Sequence, residues 1–285
     1  MGQALFIVWR ESIEALLVVG ILYAWLQRQP DNRLAMRHLW AGVALGLGLA
    51  SLLGAAMMLA GSWLNDSAGE WFQAGMTLCA SLLILHMLAW MARHGRQLRR
   101  ELESQAGSAL QEGRYLSLML LVMLAIAREG SETVIFLYGV GSQPGTELAG
   151  FITGGLLGLL LGLLCFYLLQ QSSKVIGWQV FFRVSEVLLL LLGCAMLMAS
   201  LDRISGQLMG MELPEYAYEL LGDTLWDSSA LLDDGSRGGM LIASLTGYRA
   251  MPSLFAVLGL AAYWALAVRL LRRPKPHPLY QEARG

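Results

Sequence analysis

Long apolar runs, interrupted at short intervals by small groups of charge, dominate this chain. A helix needs about 20 apolar residues to cross the hydrocarbon core of a bilayer. Residues 39–64, 71–92, 148–173 and 250–268 contain no Asp, Glu, Lys or Arg, and residues 184–201 carry only Glu186. Residues 4–26 and 115–140 are apolar apart from one compact charged cluster each. The pattern predicts an all-α polytopic membrane protein with seven transmembrane helices. Composition agrees: 56% of the residues are hydrophobic and 14% charged, against about 25% charged in an ordinary globular domain. That balance excludes a disordered chain, a nucleic-acid binder and an ordinary soluble enzyme.

Orientation follows from Lys and Arg, which accumulate on the cytoplasmic side. With the N-terminus outside, the inner segments 27–38, 93–114, 171–183 and 269–285 hold 15 basic residues; the outer segments hold three, Arg203, Arg237 and Arg249. The expected layout is N-out/C-in. The basic loop at 93–114 and the tail then face anionic lipid of the cytoplasmic leaflet. The N-terminus lacks a basic region ahead of its apolar run, so it reads as a retained helix rather than a signal peptide. Cys79, Cys165 and Cys194 lie far apart in apolar runs and read as small buried hydrophobes.

Two segments match each other: Arg10-Glu11-Ser12-Ile13-Glu14 and Arg128-Glu129-Gly130-Ser131-Glu132. Both read R-E-small-x-E, and each is followed by a Leu-Tyr pair, Leu22-Tyr23 and Leu137-Tyr138. The next spans also echo one another, Ala41-Gly42 with Gly46 against Ala149-Gly150 with Gly154. Spans 1–3 and 4–6 are thus expected to form a 3+3 inverted repeat, with the seventh helix added. The chain divides into repeat one at about 1–95, repeat two at about 115–201, an external acidic loop at 202–249, a seventh helix at 250–271 and a cytoplasmic tail at 272–285, all in one transmembrane domain. Gly42, Gly46, Gly150, Gly154, Gly158 and Gly162 recur at four-residue spacing and are expected to line close helix contacts.

A charge at the bilayer centre costs about 2.5–3.5 kcal/mol on the insertion scale, and each cluster places three there. Glu11 and Glu14 are neighbours on one helix face, as are Glu129 and Glu132, while Arg10 and Arg128 each stand one turn before an acid they can neutralise. Four acids against two arginines leave two uncompensated negative charges, which a cation would balance. The candidate ligands Glu11, Glu14, Glu129 and Glu132 are all oxygen donors, with Tyr23, Tyr138, Ser12 and Ser131 as accessory groups, and such a set suits hard cations. Ferric iron is the hardest common choice; ferrous iron, Mn²⁺, Mg²⁺ and Ca²⁺ share the ligand type. The plainer reading is a buried ion-pair network that ties helices together; two matched clusters with surplus acid fit it less well.

These residues resemble the oxidase-dependent iron permease family, in its bacterial elemental-iron-uptake branch. The family hallmark is R-E-G-x-E in the first and fourth membrane helices. Arg128 to Glu132 matches it in full, and Arg10 to Glu14 carries Ser12 in place of the glycine. The seven-helix layout is similar too, and so is the outer stretch Trp226-Asp227-Ser228-Ser229, Leu232-Asp233-Asp234 and Gly247-Tyr248. The resemblance implies iron translocation across the plasma (bacterial inner) membrane, with the motif glutamates contacting Fe³⁺ or Fe²⁺ as substrate. It also implies an external or periplasmic partner: an oxidase, a copper protein or a haem peroxidase. The chain has no recognisable oxidase, haem or copper motif of its own and reads as a transporter rather than an enzyme.

The remaining polar residues are less specific. Glu186, three residues after Arg183, is either half of an interfacial ion pair or a relay near the inner mouth. His86 reads as a packing histidine. Glu212, Glu215, Glu219, Asp223, Asp227, Asp233 and Asp234 form either a solvated acidic surface or an outer capture site that concentrates cations. A transporter of another divalent cation, an intramembrane carboxylate-metal redox protein and a non-transporting sensor remain the alternatives. The redox reading is weakened because both clusters lack the His of the E-x-x-H di-iron motif.

Overall fold

A computed structural model describes residues 2–29, 32–64, 66–94, 98–111, 113–143, 146–171, 178–211 and 213–271. The described residues form ten helices in chain order: α1 (Gly2–Leu26), α2 (Arg33–Trp63), α3 (Asp66–His94), α4 (Leu98–Gln111), α5 (Tyr115–Gly141), α6 (Leu148–Gln171), α7 (Trp178–Met209), α8 (Glu215–Gly222), α9 (Arg237–Thr246) and α10 (Leu254–Leu271). There is no strand among them, only an isolated bridge between Thr224 and Ser253. Five helices are long and apolar enough to cross a membrane: α2, α3, α6, α7 and α10. The helices α1 and α5, of 25 and 27 residues, equal them in length and carry the two charged motifs. The expected tail at 272–285 lies outside the described residues.

Helix pairing follows the distribution of small residues. α1 packs along α6, α2 along α5, and α3 along α7, while α1 and α5 also meet each other. On α2, a side chain at Gly46 would reach Ile126 Cβ at 2.8 Å and the Met123 carbonyl at 2.9 Å. On α6, one at Gly158 would strike the Leu5 carbonyl and come within 3.0 Å of the Trp9 amide. Backbone cannot yield as a flexible side chain can, so these positions demand glycine. Met123 and Leu5 are 118 residues apart, as are Arg128 and Arg10. By these contacts Gly46 matches Gly158, 112 residues on, whereas the echo between Ala41 and Ala149 has a spacing of 108. That echo is therefore about one helical turn out of register.

The faces of α2 and α6 turned away from these contacts are leucine-rich. Leu47, Leu52, Leu156 and Leu160 are all exposed, as suits helices whose outer surface is solvated by lipid chains. Of the three cysteines only Cys194 is buried; Cys165 is half-buried and Cys79 exposed. The expectation that all three are interior thus fails for Cys79, whose position on α3 faces outward. His86 is likewise exposed rather than packed inside.

Between α3 and α7 the backbone is stitched by hydroxyls: Ser81 donates to Gly193 O at 2.7 Å and Ser200 to Ala74 O at 2.8 Å. Tyr263 of α10 donates to Leu190 O at 2.8 Å. Within the segment expected as a basic inner loop, α4 forms an amphipathic helix. It buries Leu102, Ala106 and Ala109 against Leu22 and Leu26 of α1 and Leu118 of α5, closing that end of the two motif helices. At the opposite end Arg203 of α7 joins Glu70 (2.9 Å) and Gln73 (2.6 Å) of α3 and the Ser142 carbonyl after α5. Nearby, α9 starts at Ser236, whose hydroxyl accepts from Gly239 N, and stops at Gly247 in the left-handed conformation (φ 75°).

The glycine contacts yield a direct test. Gly158→Leu should destabilise the protein by about 1–3 kcal/mol or more through overpacking, read as a lowered melting temperature in detergent. Gly48→Leu, at a position with nothing within 4 Å of an added Cβ, should leave it unchanged.

Candidate functional site

Each motif occupies the middle of a long apolar helix. Glu11 is nine residues into α1, about 13 Å along its axis, and Glu129 stands near the centre of α5. One turn toward the Gly2 end, Ile7 and Phe136 are fully buried; one turn toward the Leu26 end, Val18 and Ile126 are buried as well. The carboxylates therefore sit between two apolar layers.

The structure brings the motif residues together. One carboxylate oxygen from each of Glu11, Glu14 and Glu129 lies within 4.8 Å of the others. Oxygens that share a cation at about 2.1–2.5 Å lie at most about 4–5 Å apart, so the three fit one ion with little movement. Glu132 stands within electrostatic reach of Glu11 and Glu14. Four buried carboxylate oxygens lack a hydrogen-bond donor, one on each motif glutamate: Glu11 Oε2, Glu14 Oε1, Glu129 Oε2 and Glu132 Oε2. Glu14 Oε1 does touch Arg10 as an ion pair, but not in hydrogen-bonding geometry. Buried acceptors without donors are costly, and four in one place are a site that a cation would satisfy.

The two arginines differ. Arg10 is almost wholly buried, at 3% exposure, and pairs with Glu11 at 2.6 Å and with Glu14. Its terminal nitrogens also donate to Met87 Sδ (2.8 Å) and Met91 Sδ (3.1 Å) of α3. Arg128 is 38% exposed and donates from Nε to Glu132 Oε1 at 3.1 Å, with its guanidinium carbon 4.3 Å from the centre of the Trp90 ring. Met87, Trp90 and Met91 were missed from the sequence; their i, i+3, i+4 spacing in an apolar span was the available signal.

The small motif positions pack against opposite helices. A Cβ at Gly130 would lie 2.5 Å from Ala50 Cβ on α2, while Ser12 Cβ lies 3.0 Å from the Cβ position of Gly162 on α6. Ser131 donates to the Arg128 carbonyl at 2.7 Å.

Other predicted residues lie elsewhere. Tyr23 is nine residues past Glu14, accepts from Gln27 at 2.9 Å and edges against Trp40. Tyr138 meets Phe72 edge-on and points its hydroxyl at Gly61, toward the Arg203 end. Glu186 is half-buried on α7 and Arg183 exposed, and no ion pair joins them among the described residues. Glu212 lies outside the described residues; Glu215 and Glu219 occupy one turn of α8, which starts only after Pro214. Both are exposed, as are Asp223, Asp227 and Asp233. Three loop acids shape the chain itself: Asp227 accepts from Ser229 N, Asp233 from Gly235 N and Asp234 from Ala250 N. The Ser229 hydroxyl and amide hold the Asp227 carboxyl below its ordinary pKa.

Residues 1–272 match the model of the Iron permease FTR1 family. The chain is 27% identical over 261 residues to the ferrous iron permease EfeU of Shigella sonnei, covering 88% of each chain. It is 30% identical over 176 residues to the Yersinia pestis ferrous iron permease EfeU, covering 58% of this chain and 57% of that one. With the iron permease EfeU of Bacillus subtilis the identity is 32% over 158 residues, covering 53% of this chain and 32% of its relative. No solved structure matches it. With its apolar helices and a match of this extent, the chain is an integral multi-pass membrane protein that belongs to the Iron permease FTR1 family.

Proposed function

We propose that this protein carries iron inward across the bacterial inner membrane, as a transporter and not an enzyme, through a midplane site made by Glu11, Glu14, Glu129 and Glu132. The observation that carries the reading is the set of four buried carboxylate oxygens without a hydrogen bond, one from each motif glutamate, of which only Glu14 Oε1 touches an arginine. Ferrous iron is the ion we propose. Four carboxylates and two guanidiniums leave two negative charges, which a divalent cation cancels and a trivalent one overshoots. The relatives from Shigella sonnei and Yersinia pestis are named ferrous iron permeases.

The site belongs to a seven-span, N-out/C-in arrangement with spans α1–α3 and α5–α7 as inverted repeats and α10 as the addition. The pairing of α1 with α6 and of α2 with α5 supports this, because exchanging the halves turns one pair into the other. Inverted-repeat transporters bind their cargo between the halves and release it when one half rocks against the other. Inward release here requires the layer of Val18, Ile126 and the α4 cap to open. Delivery of iron by an external oxidase, copper protein or haem peroxidase rests on the family resemblance alone, and the outer acids Glu215, Glu219 and Asp223 are the capture surface we propose for it.

Uptake of radioactive iron into proteoliposomes, offered as Fe²⁺ under ascorbate or as Fe³⁺ citrate, tests the reading. Fe²⁺ should enter and Fe³⁺ should not. Glu→Gln at each of the four positions should reduce flux at least about 100-fold, as expected when a residue that acts within one unit is lost, with unchanged membrane insertion. Normal uptake by all four variants would refute the site. Topology has its own check: a cysteine placed at Leu231, which is 92% exposed, should react with an impermeant thiol reagent from outside intact cells, and one at Ser104 on α4 only after permeabilisation. The reverse pattern would invert the orientation.

A further inference from the structure

The polar contacts of Arg10 are divided evenly. Nη1 faces Glu11 Oε1 at 2.6 Å and Met87 Sδ at 2.8 Å; Nη2 faces Glu14 on one side and Met91 Sδ at 3.1 Å on the other. Each nitrogen thus has a carboxylate from α1 and a thioether from α3. Arg128 is placed by the same helix: its edge donates to Glu132 and its face rests 4.3 Å from the Trp90 ring centre. Met87, Trp90 and Met91 share one face of α3, which carries no acid there.

We propose that this face of α3 is a positioning surface for both arginines, and that Met87 and Met91 hold Arg10 back so that the glutamates can take the cation. The inference rests on the carboxylate site described above. Four carboxylates would draw a buried guanidinium into their midst, where its N–H groups would occupy the oxygens the cation needs. Two thioethers resist that pull without competing for iron as carboxylates would. Sulfur is a weak, polarisable acceptor, strong enough to direct an N–H and too weak to neutralise the charge. An indole face attracts a guanidinium in the same undemanding way. The outcome is visible at two of the glutamates: Arg10 takes Oε1 of Glu11 and leaves Oε2 free, and Arg128 does the same at Glu132, while at Glu14 Arg10 touches Oε1 without making a hydrogen bond. An acid on α3 in place of the thioethers would fix the arginine but add a fifth negative charge; a leucine would fill the volume but release it.

The test is Fe²⁺ uptake kinetics in proteoliposomes for the double variant Met87→Leu/Met91→Leu, beside Met87→Gln/Met91→Gln and the site control Glu129→Gln. Leucine keeps the volume and removes the acceptor; glutamine restores one. The leucine pair should raise KM about five-fold or more with kcat within about two-fold, the signature of weakened cargo binding, and the glutamine pair should return KM to near the parent value. Trp90→Leu against Trp90→Phe repeats the comparison at Arg128, and serves if the double variant fails to fold. An unchanged KM in the leucine variants, or equal impairment by leucine and glutamine, would overturn the proposal and leave α3 a packing role. If Glu129→Gln transports normally, the carboxylate site itself is wrong; if it is inactive while the leucine variants are normal, only the role of α3 is.

Discussion

Surplus negative charge in the middle of an apolar helix bundle is the constraint on which the rest of this structure depends. Glu11, Glu14 and Glu129 meet where α1 and α5 touch, with Glu132 in electrostatic reach of the first two. Two arginines cover half of that charge, and the shortfall amounts to one divalent ion. Apolar residues lie above and below, and Met87 and Met91 on α3 accept N–H groups from Arg10 without supplying more charge. Were the glutamates fully paired, the bundle would be a better-satisfied structure and a poorer place for a cation.

Tight packing is what makes this tolerable. α1 and α5 are each clamped by a glycine-bearing neighbour, α6 and α2, at backbone contact distance. With the helices so close, the glutamates project toward one another between protein walls, and the outward faces of α2 and α6, like those of α5, α7 and α10, carry exposed apolar side chains. The hydroxyl links between α3 and α7 hold the third pair in register, so the arginine partners on α3 have a fixed base. α4 adds a cap across the ends of α1 and α5, made from the apolar face of a helix that is otherwise polar.

Much of this was legible in the sequence because membrane burial imposes simple rules. Uncharged runs marked the spans, and the repeated R-E-x-x-E marked both the helices and the residues that converge, since a charge in lipid has few reasons to exist. What escaped depends on facing, which a run of apolar letters does not encode. Cys79 and His86 look interior in a sequence of this composition and prove to be exposed, whereas Met87 and Met91, indistinguishable by hydropathy from neighbouring apolar residues, touch Arg10. The Leu-Tyr pairs misled for a related reason: Tyr23 is nine residues beyond its motif and Tyr138 only six, so they cannot occupy equivalent places. The turn of register between the glycine echoes arose because a four-residue repeat matches itself equally well one step along.

The small residues of the two motifs carry a consequence for how the halves diverge. At the α5–α2 contact the glycine is in the motif, Gly130, and the methyl group belongs to its neighbour, Ala50; at the α1–α6 contact the motif holds Ser12 and the glycine is opposite, at Gly162. Each contact thus joins one glycine to one small side chain, with the bulk on opposite partners in the two cases. A larger side chain on one partner would fit only with a smaller one opposite. Two such contacts can share their geometry without sharing their letters, so comparing the two segments residue by residue finds the matching charges more readily than the matching packing.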